Sequence, residues 1–174
     1  SIFPGSVISA IPQDLKFNGE DSLVVINDNT TIRECVTINR GTSDRGETTI
    51  GKNCLIMAYC HVAHDCIIGD NCIFSNNSTL AGHVSVGNHA ILAGFVAVHQ
   101  FCSIGDHAFI AGGSLVRKDI PPYVKAAREP ISYVGINSVG LRRRGFKASK
   151  IQEIQNIYRI LFQNKYNNSQ AADI

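Results

Sequence analysis

Apolar side chains recur at every sixth position through the middle of the chain. Twelve positions spaced six apart are all apolar: Ile50, Ile56, Val62, Ile68, Phe74, Leu80, Val86, Leu92, Val98, Ile104, Ile110 and Val116. The residue four places after each is small or β-branched: Cys54, Cys60, Cys66, Cys72, Ser78, Val84, Ala90, Val96, Cys102, Ala108, Ser114 and Ile120. A period of six matches neither the 3.6 of an amphipathic helix nor the alternation of a simple strand.

The six-residue period predicts a solenoid. Each hexad supplies a short strand with inward side chains and then a turn, and three hexads close one triangular coil of 18 residues. The pattern continues upstream in a second phase through Ile26, Ile32 and Ile38, and "SDRGET" between the two runs predicts an external loop. This hexapeptide pattern resembles the left-handed parallel β-helix of the hexapeptide acyltransferase superfamily. We therefore expect a mainly β protein whose β-helix is followed by a C-terminal α-helical segment.

The chain divides into three predicted parts. Residues 1–120 form the β-helix, with external loops near 10–22 and 43–48, and residues 121–146 form an irregular connection that starts at two prolines. Residues 147–174 begin a helical domain, for which Ser149 and Gln152 offer a capping box. Because Ser1 is not a methionine and no cap precedes it, we expect residues to be missing at the N-terminal end. The ending "NNSQAADI" predicts the start of another helix, so we expect residues to be missing at the C-terminal end as well.

Composition excludes some classes of function. The net charge of +2 and a charged fraction of 17% lack the basic balance of a nucleic-acid binder. No apolar run approaches the roughly 18 residues that a membrane span needs. Six cysteines without a secretory signal favour free thiols and a cytoplasmic location. The basic cluster Arg142–Arg144 is compatible with either a solvated edge or an anion site.

The stretch "MAYCHVAHDC", residues 57–66, has the look of a zinc site. Its cysteines, however, occupy the small inward position of the repeat, and we interpret them as core. His64 lies outside that position, and steps of 18 place Gly82 and Gln100 beside it in the next coils. Zinc would need about three converging histidines, whereas acyl transfer to an alcohol needs one histidine base and an oxyanion donor. Spacing leaves both open.

A second pair of histidines, His89 and His107, is also 18 apart but on another side of the predicted coil. We interpret that pair as surface.

Several strings closely resemble the acyl-carrier-protein-dependent UDP-N-acetylglucosamine O-acyltransferases, the family that catalyses the first step of lipid A biosynthesis. They are "QDLKFNGE" (13–20), "IRECVTINRGT" (32–42), "HVAHDC" (61–66), "NNSTLAGHVSVGNHA" (76–90), "AVHQFCSIG" (97–105) and "GLRRRGF" (140–146). The first and last strings set this family apart from the related N-acyltransferases.

The resemblance implies a role for each matching residue. His64 is the general base, Asp65 orients it, and the Gly82 N–H is the oxyanion donor. The implied substrate-binding residues are Asp14, Lys16, His61, His83, His99, Gln100, Asn137, Arg143 and Arg144. Gly112 matches the position that sets acyl-chain length, where glycine favours a long chain. Asn39 and Val139 depart from the best-known relatives, which carry histidine and an acidic residue there.

The resemblance also implies the partners. A 3-hydroxyacyl chain passes from acyl carrier protein to the glucosamine 3-hydroxyl of UDP-N-acetylglucosamine, in a homotrimer that uses no metal and no diffusible cofactor. Two alternatives stay open from the sequence: a zinc-dependent hexapeptide enzyme such as a gamma-type carbonic anhydrase, and a trimeric scaffold without activity.

Overall fold

A computed structural model describes residues 1–163, and it has the three-sided architecture that the repeat predicts. The first face contains β1 (Val7–Ala10), β4 (Thr37–Asn39), β7 (His61–Val62), β10 (Thr79–Leu80), β13 (Ala97–Val98) and β16 (Leu115–Val116). The second contains β2 (Leu23–Ile26), β5 (Glu47–Ile50), β8 (Ile67–Ile68), β11 (Ser85–Val86) and β14 (Ser103–Ile104). The third contains β3 (Thr31–Ile32), β6 (Leu55–Ile56), β9 (Ile73–Phe74), β12 (Ile91–Leu92), β15 (Phe109–Ile110), β17 (Val124–Ala127) and β18 (Ser132–Ile136).

Strand register confirms the coil length. Thr79 of β10 pairs in parallel with His61 of β7 on one side and with Ala97 of β13 on the other, 18 residues away in each direction. All pairings between coils are parallel, and β17 with β18 forms an antiparallel hairpin at the C-terminal end. The fold is therefore the parallel β-helix that the repeat predicts, mainly β, with helices after it.

The interior holds the two residue series that the sequence pattern selected. All twelve apolar positions from Ile50 to Val116 are buried, and so are all twelve small positions from Cys54 to Ile120. Each coil thus stacks identical positions above one another, which removes apolar surface from water along the whole axis. The prediction that five cysteines are core residues is confirmed, while the sixth, Cys35, is exposed at a turn.

Three corners join the faces. The first corner joins the first face to the second, the second corner joins the second to the third, and the third corner joins the third back to the first. Each turn contains one residue with positive φ, such as Asp65 (58°), His83 (63°) and Phe101 (66°) at the first corner. Equivalent residues of successive coils therefore stack in columns along the outside.

The segment 121–146, for which we predicted irregular structure, contains β17, β18 and α1 (Ser138–Arg143). Val124 and Ala126 are buried, so this segment extends the third face by one strand pair despite the prolines before it. Alternation of one buried and one exposed residue over four positions is too short a signal to identify from sequence.

The C-terminal helix α2 runs over Ala148–Gln163. It begins one residue before Ser149, which corrects the expected capping box, because Ser149 lies inside the first turn. Ile151, Ile154 and Tyr158 are buried against the β-helix, and the Tyr158 hydroxyl donates to the Pro122 carbonyl at 2.7 Å. The rest of the predicted helical segment, 164–174, lies outside the described residues. Among the helices described within 1–163, none has the length and apolar character that crossing a bilayer requires.

Candidate active site

His64 lies at the first corner and is held by a buried carboxylate. Its Nδ1 lies 2.8 Å from Oδ2 of Asp65, whose side chain is fully buried while the imidazole is 13% exposed. Thr42 donates its N–H to Asp65 Oδ1 (2.9 Å) and its hydroxyl to Oδ2 (2.7 Å). Arg45 donates its own N–H to Oδ1 and its guanidinium to the Asp65 carbonyl. Thr42 and Arg45 therefore hold Asp65 in place independently of its bond to His64.

The charge of Asp65 follows from these contacts. Burial alone would raise the pKa of the carboxyl, but hydrogen bonds from His64 and Thr42, with the nearby charge of His83, outweigh burial and lower it. The carboxylate therefore stays ionised and accepts a proton-bearing Nδ1, which leaves Nε2 of His64 free to accept a proton.

Gly82 lies directly beneath the His64 imidazole in the next coil. A Cβ placed on Gly82 would approach Cε1 and Nε2 of His64 to 2.6 Å, closer than side chains pack. Gly82 is buried, and within residues 1–163 its N–H donates to no acceptor, so an unpaired backbone donor lies next to the His64 ring. Glycine at this position provides space for the histidine ring itself, a requirement that the sequence did not reveal.

A cavity of about 280 Å³ opens beside His83, whose ring packs edge-on against that of His64 at 5.0 Å between centroids, and residues of the two external loops line it. His83 lines it, with Nδ1 at 3.2 Å from Asp44 and its ring stacked on Phe101 at 4.6 Å between centroids. Asp14 and Lys16 of the first loop line the same cavity. The structure thus places these two predicted residues with His83.

The remaining predicted residues of the first face are neighbours of this site. His61 lies on β7, where Thr37 contacts its Nδ1 at 2.7 Å; burial and the charge of His64 lower the pKa of His61. His99 and Gln100 are exposed two coils further on, where His99 lines a shallow groove of the first face.

The donor atoms of His64, Asp65 and His83 all lie within 4.8 Å of one another, a spacing that a metal could use. Both Asp65 oxygens, however, already accept hydrogen bonds from N–H or O–H groups, and a metal would have to displace them. The geometry fits an orienting carboxylate better than a zinc ligand.

Four predicted residues lie elsewhere in the chain. Asn137 caps α1 and donates to the His107 carbonyl at 2.9 Å, and Arg144 donates to the His89 carbonyl at 3.0 Å. Arg143 is exposed and lines a groove on the third face together with Asn137. Gly112 is exposed at the third corner, where a Cβ would come within 3.1 Å of the Gly94 carbonyl oxygen. The third face is opposite the first corner, so one chain does not bring these four to His64.

The interpretation of His89 and His107 as plain surface residues needs correction. Their rings stack at 4.7 Å in a column that continues to Tyr123, and Phe146 packs edge-on against His107. The segment around α1 covers this column, so both rings are half-buried. The covering segment is distant in sequence, which is why the repeat alone did not show it.

Thr42, Arg45 and Phe101 are the site residues that sequence reasoning missed. Thr42 falls on the small inward position of the upstream repeat, yet its hydroxyl donates to Asp65, and the external loop 43–48 follows it directly. The predicted loop 43–48 was the one feature of the sequence that could have pointed to Thr42 and Arg45 as site residues.

Comparison with known proteins agrees with this geometry. Residues 47–82 match the family model described as bacterial transferase hexapeptide (six repeats), and residues 119–174 match the second domain of UDP-N-acetylglucosamine O-acyltransferase. The chain is 56% identical over 174 residues to the acyl-(acyl-carrier-protein)–UDP-N-acetylglucosamine O-acyltransferase of Aquifex aeolicus, covering 99% of this chain and 67% of that protein. The corresponding protein of Myxococcus xanthus is 47% identical, over 94% of this chain and 64% of its own length.

A solved structure is equally similar. The UDP-N-acetylglucosamine acyltransferase LpxA from Bacteroides fragilis superimposes with a TM-score of 0.97 at 53% identity, over 99% of this chain and 68% of that one. The chain spans slightly less than two thirds of several curated relatives, 64% of the Myxococcus xanthus protein among them. Identity at this level over nearly the whole chain shows that it belongs to the UDP-N-acetylglucosamine O-acyltransferase family.

Proposed function

We propose that the protein transfers a 3-hydroxyacyl chain from acyl carrier protein to the 3-hydroxyl of the glucosamine unit of UDP-N-acetylglucosamine, the first step of lipid A biosynthesis. One observation carries the proposal: His64 bonds through Nδ1 to a buried, ionised Asp65, its other nitrogen lies over the Gly82 backbone, and its ring packs edge-on against His83, which lines an open cavity. This is the arrangement that base-catalysed acyl transfer requires.

The proposed reaction balances with the groups present. Nε2 of His64 takes the proton from the sugar 3-hydroxyl as that oxygen attacks the thioester carbonyl. The tetrahedral oxyanion accepts a hydrogen bond from the Gly82 N–H. The intermediate then expels the carrier-protein thiolate, which takes the proton from His64, and Asp65 stabilises the imidazolium in between. These steps use no metal and no diffusible cofactor.

Asp14 and Lys16 are proposed to hold the sugar nucleotide. They line the same cavity as His83, so a sugar placed there lies within reach of the histidine at the corner. His61, in the coil of His64, and His99 and Gln100, two coils further on, are proposed to border the sugar and the acyl chain. The free cysteines support a reducing compartment, and we propose the cytoplasm.

A homotrimer would complete the site. Asn137, Arg143 and Arg144 are proposed to bind the nucleotide phosphates, but in one chain they lie on the side opposite His64. A neighbouring subunit would bring its own third face to the first corner. The proposal therefore places His64 of one subunit against the basic residues of its partner.

Subunit mixing tests this arrangement. His64→Ala and Arg143→Ala, each expected to be weakly active alone, should regain activity when they are unfolded together and reassembled, because some interfaces then contain both wild-type residues. Activity that stays at the level of the separate variants would contradict a site shared between subunits.

The reaction itself is tested by product analysis. The intact protein is incubated with 3-hydroxyacyl carrier protein and UDP-N-acetylglucosamine, and the product is identified by mass spectrometry. We expect an ester at the sugar 3-position and none when the acceptor is a 3-deoxy analogue. Hydration of carbon dioxide dependent on added zinc, without acyl transfer, would instead support the carbonic-anhydrase alternative.

Gly112 is proposed to leave room for the end of the acyl chain. Since a Cβ there already approaches the Gly94 carbonyl, Gly112→Met should fill the third corner and shift the preference to shorter chains. Competition between donors of different length measures the shift.

A further inference from the structure

In five successive hexads the small inward residue also forms a hydrogen bond to the next coil. Five successive side chains donate to the carbonyl fifteen residues later: Cys54 to Gly69 (3.2 Å), Cys60 to Ser75 (3.1 Å), Cys66 to Ala81 (3.2 Å), Cys72 to Gly87 (3.1 Å) and Ser78 to Ala93 (3.1 Å). Each bond reaches the peptide that enters the same corner one coil further on. The side chain thus fixes the tilt of that corner peptide from inside the core.

At the first corner the fixed peptide is the one between Ala81 and Gly82. This peptide is trans, so its C=O and N–H point in opposite directions. The Cys66 thiol holds the Ala81 carbonyl toward the core, and the Gly82 N–H is thereby directed away from the core. His64 packs against the outside of the same residue, where a Cβ of Gly82 would meet its ring. Cys66 is completely buried and touches no substrate itself.

We infer that Cys66 is a positioning residue for the oxyanion donor: its buried thiol, by holding the Ala81 carbonyl, aims the Gly82 N–H at the reacting carbonyl. This inference rests on the proposed function. An oxyanion donor is effective because its direction is set before the reaction begins, and the thiol is the group within residues 1–163 that restrains this carbonyl.

The thiol is suited to this role at physiological pH. Burial raises the pKa of Cys66 to about 12, so the sulfur keeps the proton that it donates. Other coils have Val84, Ala90 or Val96 in the same position, all completely buried. The fold therefore does not need a donor there, and a donorless residue at position 66 should still fold.

Three substitutions separate donation from packing. Cys66→Ser keeps a donor of the kind that Ser78 provides, Cys66→Val fills the position as Val84 does, and Cys72→Val is the matched control at the second corner. We expect kcat to fall about tenfold in Cys66→Val with KM unchanged, less than the 10²–10³ lost when an oxyanion donor is removed outright. Cys66→Ser and Cys72→Val should keep kcat within about twofold of wild type.

The outcomes are decisive in either direction. Equal kcat values in Cys66→Val and Cys72→Val would overturn the inference, and so would an equal loss in Cys66→Val and Cys66→Ser, which would indicate packing. If the wild-type protein transfers no acyl group, the proposed function fails, and the Gly82 amide proton then decides the inference alone. Its NMR shift and exchange rate should change in Cys66→Val and be retained in Cys66→Ser; no change in either would overturn it.

Discussion

The first and second corners of the β-helix are built alike and differ in chemistry. The first carries His64 and His83 in adjacent positions of successive coils, with His99 one coil further on, and the second carries His89 and His107 in the same position of successive coils. Each has a histidine stacked on an aromatic ring, Phe101 at one corner and Tyr123 at the other. At the first corner the carboxylate of Asp65 is buried and bonded to His64. At the second corner, Asp70 and Asp106 instead accept hydrogen bonds from backbone N–H groups of the coil before them, those of Lys52 and Asn88.

The difference comes from what interrupts the repeat. At the first corner the loops near 10–22 and 43–48 leave the coil, form a cavity and supply Thr42 and Arg45 to Asp65. At the second corner no loop intervenes, and the segment around α1 closes over the rings. Stacked histidines are thus a consequence of an 18-residue coil, while a site requires a departure from the repeat.

Gly82→Ala should have the largest effect at the first corner. The new Cβ would overlap the His64 ring and displace the base from Gly82, so we expect the acyl-transfer rate to fall by about 10² or more. Gly94→Ala, whose Cβ would meet only the Asn76 carbonyl at 3.4 Å, is the folding control and should melt normally. A Gly82→Ala variant with wild-type kcat would contradict the close packing of the ring on this residue.

Asp65→Asn should have the next largest effect. An amide has one acceptor oxygen where Asp65 has two, so its NH2 group must face either the backbone N–H groups of Thr42 and Arg45 or the Thr42 hydroxyl and Nδ1 of His64. Either orientation disturbs the support of His64, and kcat should fall roughly tenfold to hundredfold. The pKa of Asp65 is lowered in the folded protein, so its ionisation stabilises the fold above the unfolded value near 4, and that stability is lost as the pH falls through the folded value. Melting temperature against pH below about 4 should therefore be flatter in Asp65→Asn; an unchanged curve would contradict this linkage.

Thr42→Val should have a smaller effect. It removes the hydroxyl bond to Asp65 Oδ2 and keeps the N–H bond to Oδ1, and a hydrogen bond to a charged group contributes about 1.5–3 kcal/mol. We expect a several-fold lower kcat. Thr30→Val is the matched control, since Thr30 occupies the same repeat position and bonds only to backbone groups; it should lose stability and keep its rate. Equal rates in the two variants would show that Thr42 does not act through Asp65.

His107→Phe, at the second corner, should have the smallest effect of the four substitutions. Nδ1 of His107 is buried without a partner, and the ring is stacked, so phenylalanine should be tolerated at pH 7. Burial, with the charges of His89 and Arg144, lowers the pKa of His107; its neutral form therefore stabilises the fold above about pH 6.5, and this is lost as the pH falls through the folded value. The fall in melting temperature from pH 7 to 5 should be about 2 °C smaller in the variant. A steeper fall of the melting temperature in the variant would contradict the account of His107 as a buried histidine that is neutral at pH 7.

The fold could be predicted from the sequence because every hexad of the repeat buries side chains at the same two positions. An apolar residue and a small residue, placed four apart, define one inward strand, and all twelve such pairs from Ile50 to Ile120 are buried. His64, Asp65, Gly82 and His83 were also predictable as neighbours, since steps of 18 stack one coil on the next.

The features that the sequence could not predict depend on contacts between residues whose separation does not follow the six-residue repeat. The bond between Thr42 and Asp65 joins residues 23 apart across a loop of irregular length. The cover over His89 and His107 comes from Arg144 and Phe146, whose position depends on how β17 and β18 end the third face. The proposed partner role of Arg143 requires a second chain, which the pattern within one chain does not describe.

The most direct test of the account compares one histidine from each corner. Single-turnover acyl transfer is measured for His64→Ala and His89→Ala in the intact protein, with melting temperature as the check on folding. We predict a loss of at least about a hundredfold for His64→Ala, as expected for a missing general base, and a rate within about twofold of wild type for His89→Ala. Equal rates in the two variants would contradict the assignment of the active site to the first corner.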